Sequence, residues 1–324
     1  MKLSIVIIDT NELHLLRSCL RAVYDQTRGM DFEVIVVDNA CTDGSHETVA
    51  PEFPLVKWVT NSKKMGFAAA NNVAFPFAVG EYILLLNPDT EVLDGAIQKT
   101  IAFADTHPAA GVVGSRLLYP DGSVQPSVRG FPSVLGAFLD ATFLHVLLPS
   151  DRIVRRSGIV RFDPERTQEV DWVIGAYFLI RRTVMEKIGT LDEQFWIYGE
   201  EVDFCQRART AGYATWYVAE ASVVHYWRGM TVVTLRVIVW LHFGQKLYVD
   251  KQYRGLEKFV IIYLRYLGAA LRVVVYPVVG LILFRKSFFL KAYYYAIALW
   301  KLCTQKWRYD FDHTGEVVPW TEYL

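Results

Sequence analysis

Apolar and polar positions along the chain alternate between two rhythms. Leu3-Ser4-Ile5-Val6-Ile7-Ile8 and Glu33-Val34-Ile35-Val36-Val37 are short runs rich in β-branched residues, the pattern of strands covered on both faces of a parallel sheet. Between them Leu13, Leu16, Leu20 and Val23 recur at helical spacing, so the pair and its helix form a β-α-β unit. Val56-Lys57-Trp58-Val59 and Tyr82-Ile83-Leu84-Leu85-Leu86 predict two more strands, flanking a helical stretch around residues 67–78. A helix over 95–107, a strand at Gly111-Val112-Val113-Gly114, a strand from Trp172 to Arg182 and a helix from Val202 to Ala211 closed by Gly212 continue the series. The stretch 119–169 is rich in Pro, Gly and Arg with weak periodicity; it reads as an irregular region folding over the cleft. No internal repeat is visible.

Beyond residue 231 the pattern becomes long apolar stretches punctuated by single basic residues. Lys plus Arg and Asp plus Glu both total 34 in the whole chain, but from Thr231 onward there are 13 basic and 6 acidic residues, so the tail carries +7 and the front −7. A basic, apolar tail points to an anionic surface; no nucleic-acid partner is expected. Phe259 to Phe284 is long enough to cross a bilayer, yet it contains Arg265 and Arg272 and is interrupted by Pro277. Each such charge costs roughly 2.5 to 3.5 kcal/mol at the bilayer centre, which argues against a simple span. Residues 287–300 are shorter and laden with aromatics suited to an interface. Two readings stand: helices lying on the membrane, or a helical subdomain packed on the front. The expected division is 1–230 for the α/β domain and 231–324 for the tail. Cys19, Cys41, Cys205 and Cys303 are far apart and make no C-x-x-C pair, which fits a reducing compartment. The opening residues reach Asp9 too soon for a signal peptide, so the expected location is the cytoplasm or the cytoplasmic face of the cell membrane. A homo-oligomer is left open.

Each of the first four strands ends in polar residues: Asp9-Thr10-Asn11, Asp38-Asn39, Asn61-Ser62 and Asn87-Pro88-Asp89. In an open parallel sheet the ligand crevice lies outside the carboxyl ends of the strands, so these clusters should line one cleft. Asp38 and Asn39 can hydrogen-bond a base edge or a ribose hydroxyl, although Asp-Asn ahead of Gly44 is also an ordinary capped turn. Asp89, left at the end of a leucine strand stopped by Pro88, offers a hard oxygen ligand for a divalent metal on a diphosphate; a plain turn is its alternative. Glu200-Glu201-Val202-Asp203 places three carboxylates at a helix start, where the dipole favours the ionised form. Such a group beside an acceptor hydroxyl is a general base, and helix capping is the competing explanation. His225 closes an apolar run; a lone histidine is more often structural than a ligand.

Together these residues resemble the inverting family 2 glycosyltransferases, especially the bacterial subgroup with rhamnosyltransferases of cell-surface polysaccharide assembly. The likeness runs from about Ser4 to Gly229. It takes in Val37-Asp38-Asn39 with Asp43-Gly44-Ser45, Gly66-Phe67 with Asn72, Leu86-Asn87-Pro88-Asp89-Thr90, and Pro120-Asp121-Gly122 with Gln125, Ser127 and Arg129. Trp172 with Gly175-Ala176, then Glu200-Glu201-Val202-Asp203 and His225, complete it. The resemblance implies an α/β fold of the GT-A type, a nucleotide-sugar donor, a glycan or lipid-linked acceptor and Mg²⁺ or Mn²⁺. It implies Asp89 and His225 as metal residues and Glu201 as the base, with Glu200 and Asp203 as further catalytic candidates. Asp9, Asn11, Asp38, Asn39, Lys64, Gly66, Asn72, Asn87, Trp172 and Gly175 are the implied donor-site residues. The chain departs from the family in having Asp9-Thr10-Asn11 for Thr-Tyr-Asn, Lys64 for Asn, and Glu201 for the usual Asp. Two other classes compete: a non-catalytic subunit binding nucleotide-sugar or glycan, which has no need of all five groups Asp89, Glu200, Glu201, Asp203 and His225, and a processive synthase with a channel, against which Arg265 and Arg272 speak.

Overall fold

The structure is a computed structural model that describes residues 1–147, 152–155, 158–227 and 233–304, with the backbone alone for 152–155, 158–160 and 233–236. Gly229, where the family likeness ends, and the chain beyond 304 lie outside the described residues. In chain order the front of the molecule has β1 (Leu3–Asp9), α1 (Leu13–Gln26), β2 (Phe32–Asp38), α2 (Ser45–Val49), β3 (Lys57–Thr60), α3 (Phe67–Ala74), β4 (Tyr82–Leu86), β5 (Thr90–Val92), α4 (Ala96–Thr106) and β6 (Ala110–Leu118). There follow β7 (Val128–Arg129), α5 (Val134–Ala141), β8 (Arg152–Arg155), β9 (Gly158–Arg161), β10 (Gln168–Val170), β11 (Trp172–Val173), β12 (Tyr177–Arg181), α6 (Arg182–Ile188), α7 (Glu200–Thr210) and β13 (Ala214–His225). Three helices close the described chain: α8 (Val233–Gln252), α9 (Gly255–Ile282) and α10 (Lys286–Thr304).

The main sheet runs β10-β13-β6-β12-β4-β1-β2-β3, with β5 added to β13. The four strands β3, β2, β1 and β4 are parallel, with Asp9 beside Asp38 and Asp38 beside Thr60. Their polar tips therefore emerge along one edge, as the strand endings implied. Every residue of β1 is buried, which the continuous apolar run requires of a strand covered by helices on both faces. One core layer joins Leu16, Leu20 and Val23 of α1 to Ile5, Ile7 and Val34; the other joins Ala70 and Ala74 of α3 and Phe204 of α7 to Val6, Ile35 and Phe178.

Three expectations need correction. The stretch 119–169 is more ordered than its Pro and Gly content predicts, holding β7, α5, the β8–β9 hairpin and β10. Trp172 to Arg182 is not one strand: it breaks at residues 174–176, with β11 paired to β7 in a small separate sheet and β12 antiparallel to β4. Pro277 does not interrupt its helix, for α9 runs from Gly255 to Ile282 with that proline inside.

The tail helices pack against the α/β layer through specific contacts. Lys251 of α8 bridges Asp192 at 2.7 Å and Asp203 at 2.9 Å, and Gln252 adds a hydrogen bond to Asp203 at 2.7 Å. At Gly244 the two backbones touch so closely that a Cβ there would sit 1.6 Å from the Tyr198 carbonyl oxygen.

Candidate active site

The strand tips fold back on themselves by hydrogen bonds from short polar side chains. Asp38 Oδ1 accepts from Cys41 N at 2.8 Å, and Asn11, at φ 68°, accepts from Thr42 N at 2.6 Å. Asn39 donates to Met65 O at 2.9 Å and accepts from Met65 N at 2.9 Å and Asn61 Nδ2 at 3.1 Å. One amide thus joins the ends of β2 and β3 to the turn carrying Lys64 and Gly66. Asp9 is wholly buried and accepts from Glu12 N at 3.1 Å; burial pushes its carboxyl up. Ligand atoms of Asp9, Cys41 and Asp43 lie within 4.8 Å of one another, but Asp43 is already engaged by Leu13 N and Ser45.

Gly66 is needed for close approach: a Cβ there would lie 2.5 Å from Trp196 O, and Phe67 N donates to that same oxygen at 2.6 Å. The donor-side turn is thereby seated on the loop leading to Glu200. Gly175 faces the Phe67 ring, and Asn87 N bonds Ala176 O at 3.0 Å, so both meet the same edge. Trp172 donates from its indole to Gly130 O at 3.0 Å. Asn72 lies differently. Its amide is spent on Leu191 O, Leu191 N and Glu193, a tie between α3 and the 191–193 loop.

Asp89 and His225, distant in sequence, are brought together because β5 pairs antiparallel with the end of β13, placing His225 beside Thr90. His225 Nε2 stands 3.3 Å from Asp89 Oδ1, and Tyr226 N fixes the Asp89 carbonyl at 2.9 Å. The other ring nitrogen, Nδ1, is 2.6 Å from Gln125 Oε1. The amide orientation follows from Gln125 Nε2 donating to His225 O at 3.4 Å, so Nδ1 carries the proton. In the neutral ring that leaves a nitrogen lone pair facing a carboxylate oxygen, two electron-rich atoms that a cation between them reconciles. An imidazole whose far N–H is held by an acceptor is the usual arrangement of a metal-ligating histidine.

Glu200 and Glu201 open α7 after Gly199, at φ 120°, and both are buried. Burial first, then the adjacent Glu201 charge, pushes the Glu200 carboxyl well up, and its Oε2 has no hydrogen-bond partner. Burial also raises Glu201, but Gly199 N, at 3.1 Å from its Oε2, and the Arg129 guanidinium pull it back. Both carboxyls are thus raised, Glu200 the further, because Gly199 N and Arg129 act on Glu201 alone of the two. Asp203 faces elsewhere: it is fully buried and takes Arg207, Lys251 and Gln252.

A single segment connects the two centres. Gln125 holds His225, and Arg129, four residues on, acts on Glu201; four residues of extended chain reach at most about 14 Å. The 125–129 segment therefore runs between the Asp89–His225 pair and the start of α7. The supporting roles of Gln125 and Arg129 carry no signal in composition or periodicity, since both lie where the sequence reads as irregular.

Comparison with known proteins accords with this geometry. The sequence model of glycosyl transferase family 2 matches residues 4–189. The chain belongs to that family. It is 29% identical over 205 residues to the N-acetylglucosaminyl-diphospho-decaprenol L-rhamnosyltransferase of Mycobacterium tuberculosis, covering 60% of this chain and 66% of the relative. It is 26% identical over 171 residues to rhamnosyltransferase WbbL of Escherichia coli, covering 50% and 61%. The match thus spans less than two thirds of either relative. Among solved structures, the mannosyltransferase PcManGT from Pyrobaculum calidifontis in complex with GDP-Man and Mn²⁺ superposes with a TM-score of 0.60 at 17% identity, over 94% of this chain and 88% of that one. GalNAc-T7 with UDP, GalNAc and Mn²⁺ gives 0.57 at 16% identity, over 82% and 54%. The fold is GT-A.

Proposed function

We propose that the protein is an inverting, metal-dependent transferase that moves a sugar, with dTDP-rhamnose as the first donor to test, onto a glycan or lipid-linked acceptor in cell-surface polysaccharide assembly. The observation that carries this is the carboxylate–imidazole pair of Asp89 and His225, 3.3 Å apart with the far ring nitrogen held by Gln125. Asp38, Asn39 and Asn11 form the nucleotide side, with Lys64 placed on the same turn for a phosphate. Asp89 and His225 would hold Mg²⁺ or Mn²⁺, oxygen and imidazole donors suiting such ions. When bound, the ion supplies charge neutralisation for the departing nucleoside diphosphate. Glu201 accepts the proton of the acceptor hydroxyl, whose oxygen attacks the anomeric carbon as the carbon–diphosphate bond breaks on the opposite face, so configuration inverts. Glu200, whose carboxyl burial pushes well up, favours a pair that does not bear two charges in a buried site. Asp203 serves the packing of α7 on α8. The rhamnosyltransferase relatives support the donor class. A basic, apolar C-terminal region supports work at the cytoplasmic face of the membrane, where a lipid-linked acceptor would lie.

The test is a panel of nucleotide-sugars, beginning with dTDP-rhamnose, scored for thermal stabilisation and for hydrolysis with and without Mg²⁺ or Mn²⁺. Glu201→Gln is expected to bind donor as the wild type does and to lose transfer by at least about a hundredfold. Full transfer by that variant would remove Glu201 from the mechanism. Indifference to chelation would remove the metal.

A further inference from the structure

The helix α9 is amphipathic in the wrong sense for a helix facing water. Leu256, Phe259, Tyr263, Leu267, Val274 and Val278 recur three, four or seven residues apart and are 36% to 77% exposed, so they form one outward apolar stripe along the helix. Its central arginine is turned inward. Arg272 is only 5% exposed and donates to Gly268 O, Asp140 O and Asp140 Oδ1 at 2.9 to 3.1 Å, over the rings of Phe143 and Tyr295. The stripe does not end with the helix. Leu135 of α5, and Val146 and Leu147 just after it, are 58%, 71% and 76% exposed, and they belong to the segment packed on α9. At the turn into α10, Phe284 is 95% exposed, followed by Arg285 and Lys286.

We infer that α9, the turn into α10 and the 134–147 segment form one face that docks flat on an anionic lipid bilayer. This deepens the membrane part of the proposed function and rests on none of its chemistry. The occupant follows from charge. Residues 255–304 hold seven Lys or Arg and one Glu, so an apolar stripe rimmed by cations meets acyl chains and anionic headgroups together. The orientation follows from packing. By length and composition alone α9, at 28 residues, could cross a membrane. Yet its midpoint is pinned to the sugar-transfer domain: a Cβ on Gly268 would stand 2.9 Å from Ala141 Cα, and Arg272 holds Asp140. Were α9 to cross, its centre would carry α5 and a carboxylate into the hydrocarbon. Lying in the interface plane, it keeps that tie inside the protein while the stripe meets lipid.

The experiment is co-sedimentation of the full-length chain with vesicles of phosphatidylcholine, with and without phosphatidylglycerol. Two paired variants remove apolar surface, Phe259→Ser with Val278→Ser on α9 and Val146→Ser with Leu147→Ser on the α5 side. Leu55→Ser, at a residue 78% exposed on the loop before β3, is the control. Each pair is expected to weaken vesicle binding by about tenfold or more, with the same cooperative thermal melt as the wild type. The control should bind as the wild type, phosphatidylglycerol should strengthen binding, and alkaline carbonate should release the protein from membranes. Retention after carbonate would overturn the flat orientation, and wild-type binding by the Val146 and Leu147 pair would overturn the role of the α5 segment. A lipid-free dimer that the α9 pair dissociates would give the face to a second copy of the chain.

Discussion

Gly244→Ala tests whether the tail helix α8 sets the position of the base. A Cβ at 244 would stand 1.6 Å from Tyr198 O and 2.7 Å from Tyr198 C, so the two backbones must part by roughly 1.5 Å to restore ordinary contact. The turn that would give way is the one at Tyr198 and Gly199, whose φ values of 66° and 120° already confine it and whose Gly199 N holds Glu201 Oε2. Overpacking of this kind costs about 1–3 kcal/mol, which a folded chain of this size tolerates. A displacement near 1 Å of a catalytic group costs about a hundredfold in rate. The expected outcome is a kcat for sugar transfer lower by about two orders of magnitude, donor affinity within about threefold of wild type, and a thermal midpoint lowered by only a few degrees. Steady-state kinetics with a separate donor titration reads all three. A variant with unchanged kcat and unchanged melting would refute the contact itself, and one that loses donor affinity as much as kcat would refute the claim that the turn serves the base alone.

Three further outcomes are expected. Gln125→Leu removes the acceptor for His225 Nδ1 and should raise the Mn²⁺ concentration needed for half-maximal donor hydrolysis about 10- to 100-fold, leaving metal-free donor binding unchanged. Asp203→Asn removes a buried carboxylate from its pairs with the part-exposed Arg207 and Lys251 and should cost about 2 kcal/mol in urea unfolding; intact stability with lost transfer would return Asp203 to the chemistry. Glu200 binds its proton more tightly folded than unfolded, so its contribution to stability falls as pH rises from its ordinary 4.5 through its raised folded value. Glu200→Gln should therefore melt higher than wild type at alkaline pH, with the gain vanishing below 4.5.

The parallel half of the sheet was legible because strands covered on both faces read as continuous apolar runs, and their polar tips located the cleft. What escaped depends on partners that periodicity does not encode. The strand β13 is broken in its alternation by a register shift against β6 between Val218 and Ser222, and the short β5 is three residues that only pairing with β13 makes a strand. Arg272 reads as a charge stranded in an apolar run; Asp140, 132 positions away, is what receives it. Pro277 was expected to break its helix, yet α9 continues through it, packed against α10 by Tyr276 on Phe288 and Tyr295. Asp89, Glu201 and His225 could be named from residue type and family likeness, whereas the different settings of Glu200, Glu201 and Asp203 depend on burial and on Arg129, Arg207 and Lys251.

The seat of Gly66 on Trp196 has a mechanical consequence. With no room for even a methyl group between them, the turn of Lys64 and Gly66 leans directly on the loop that leads to Glu200. On the proposed reading, the nucleotide side and the acceptor side meet at this one backbone contact, so a side chain added at Gly66 would disturb both together.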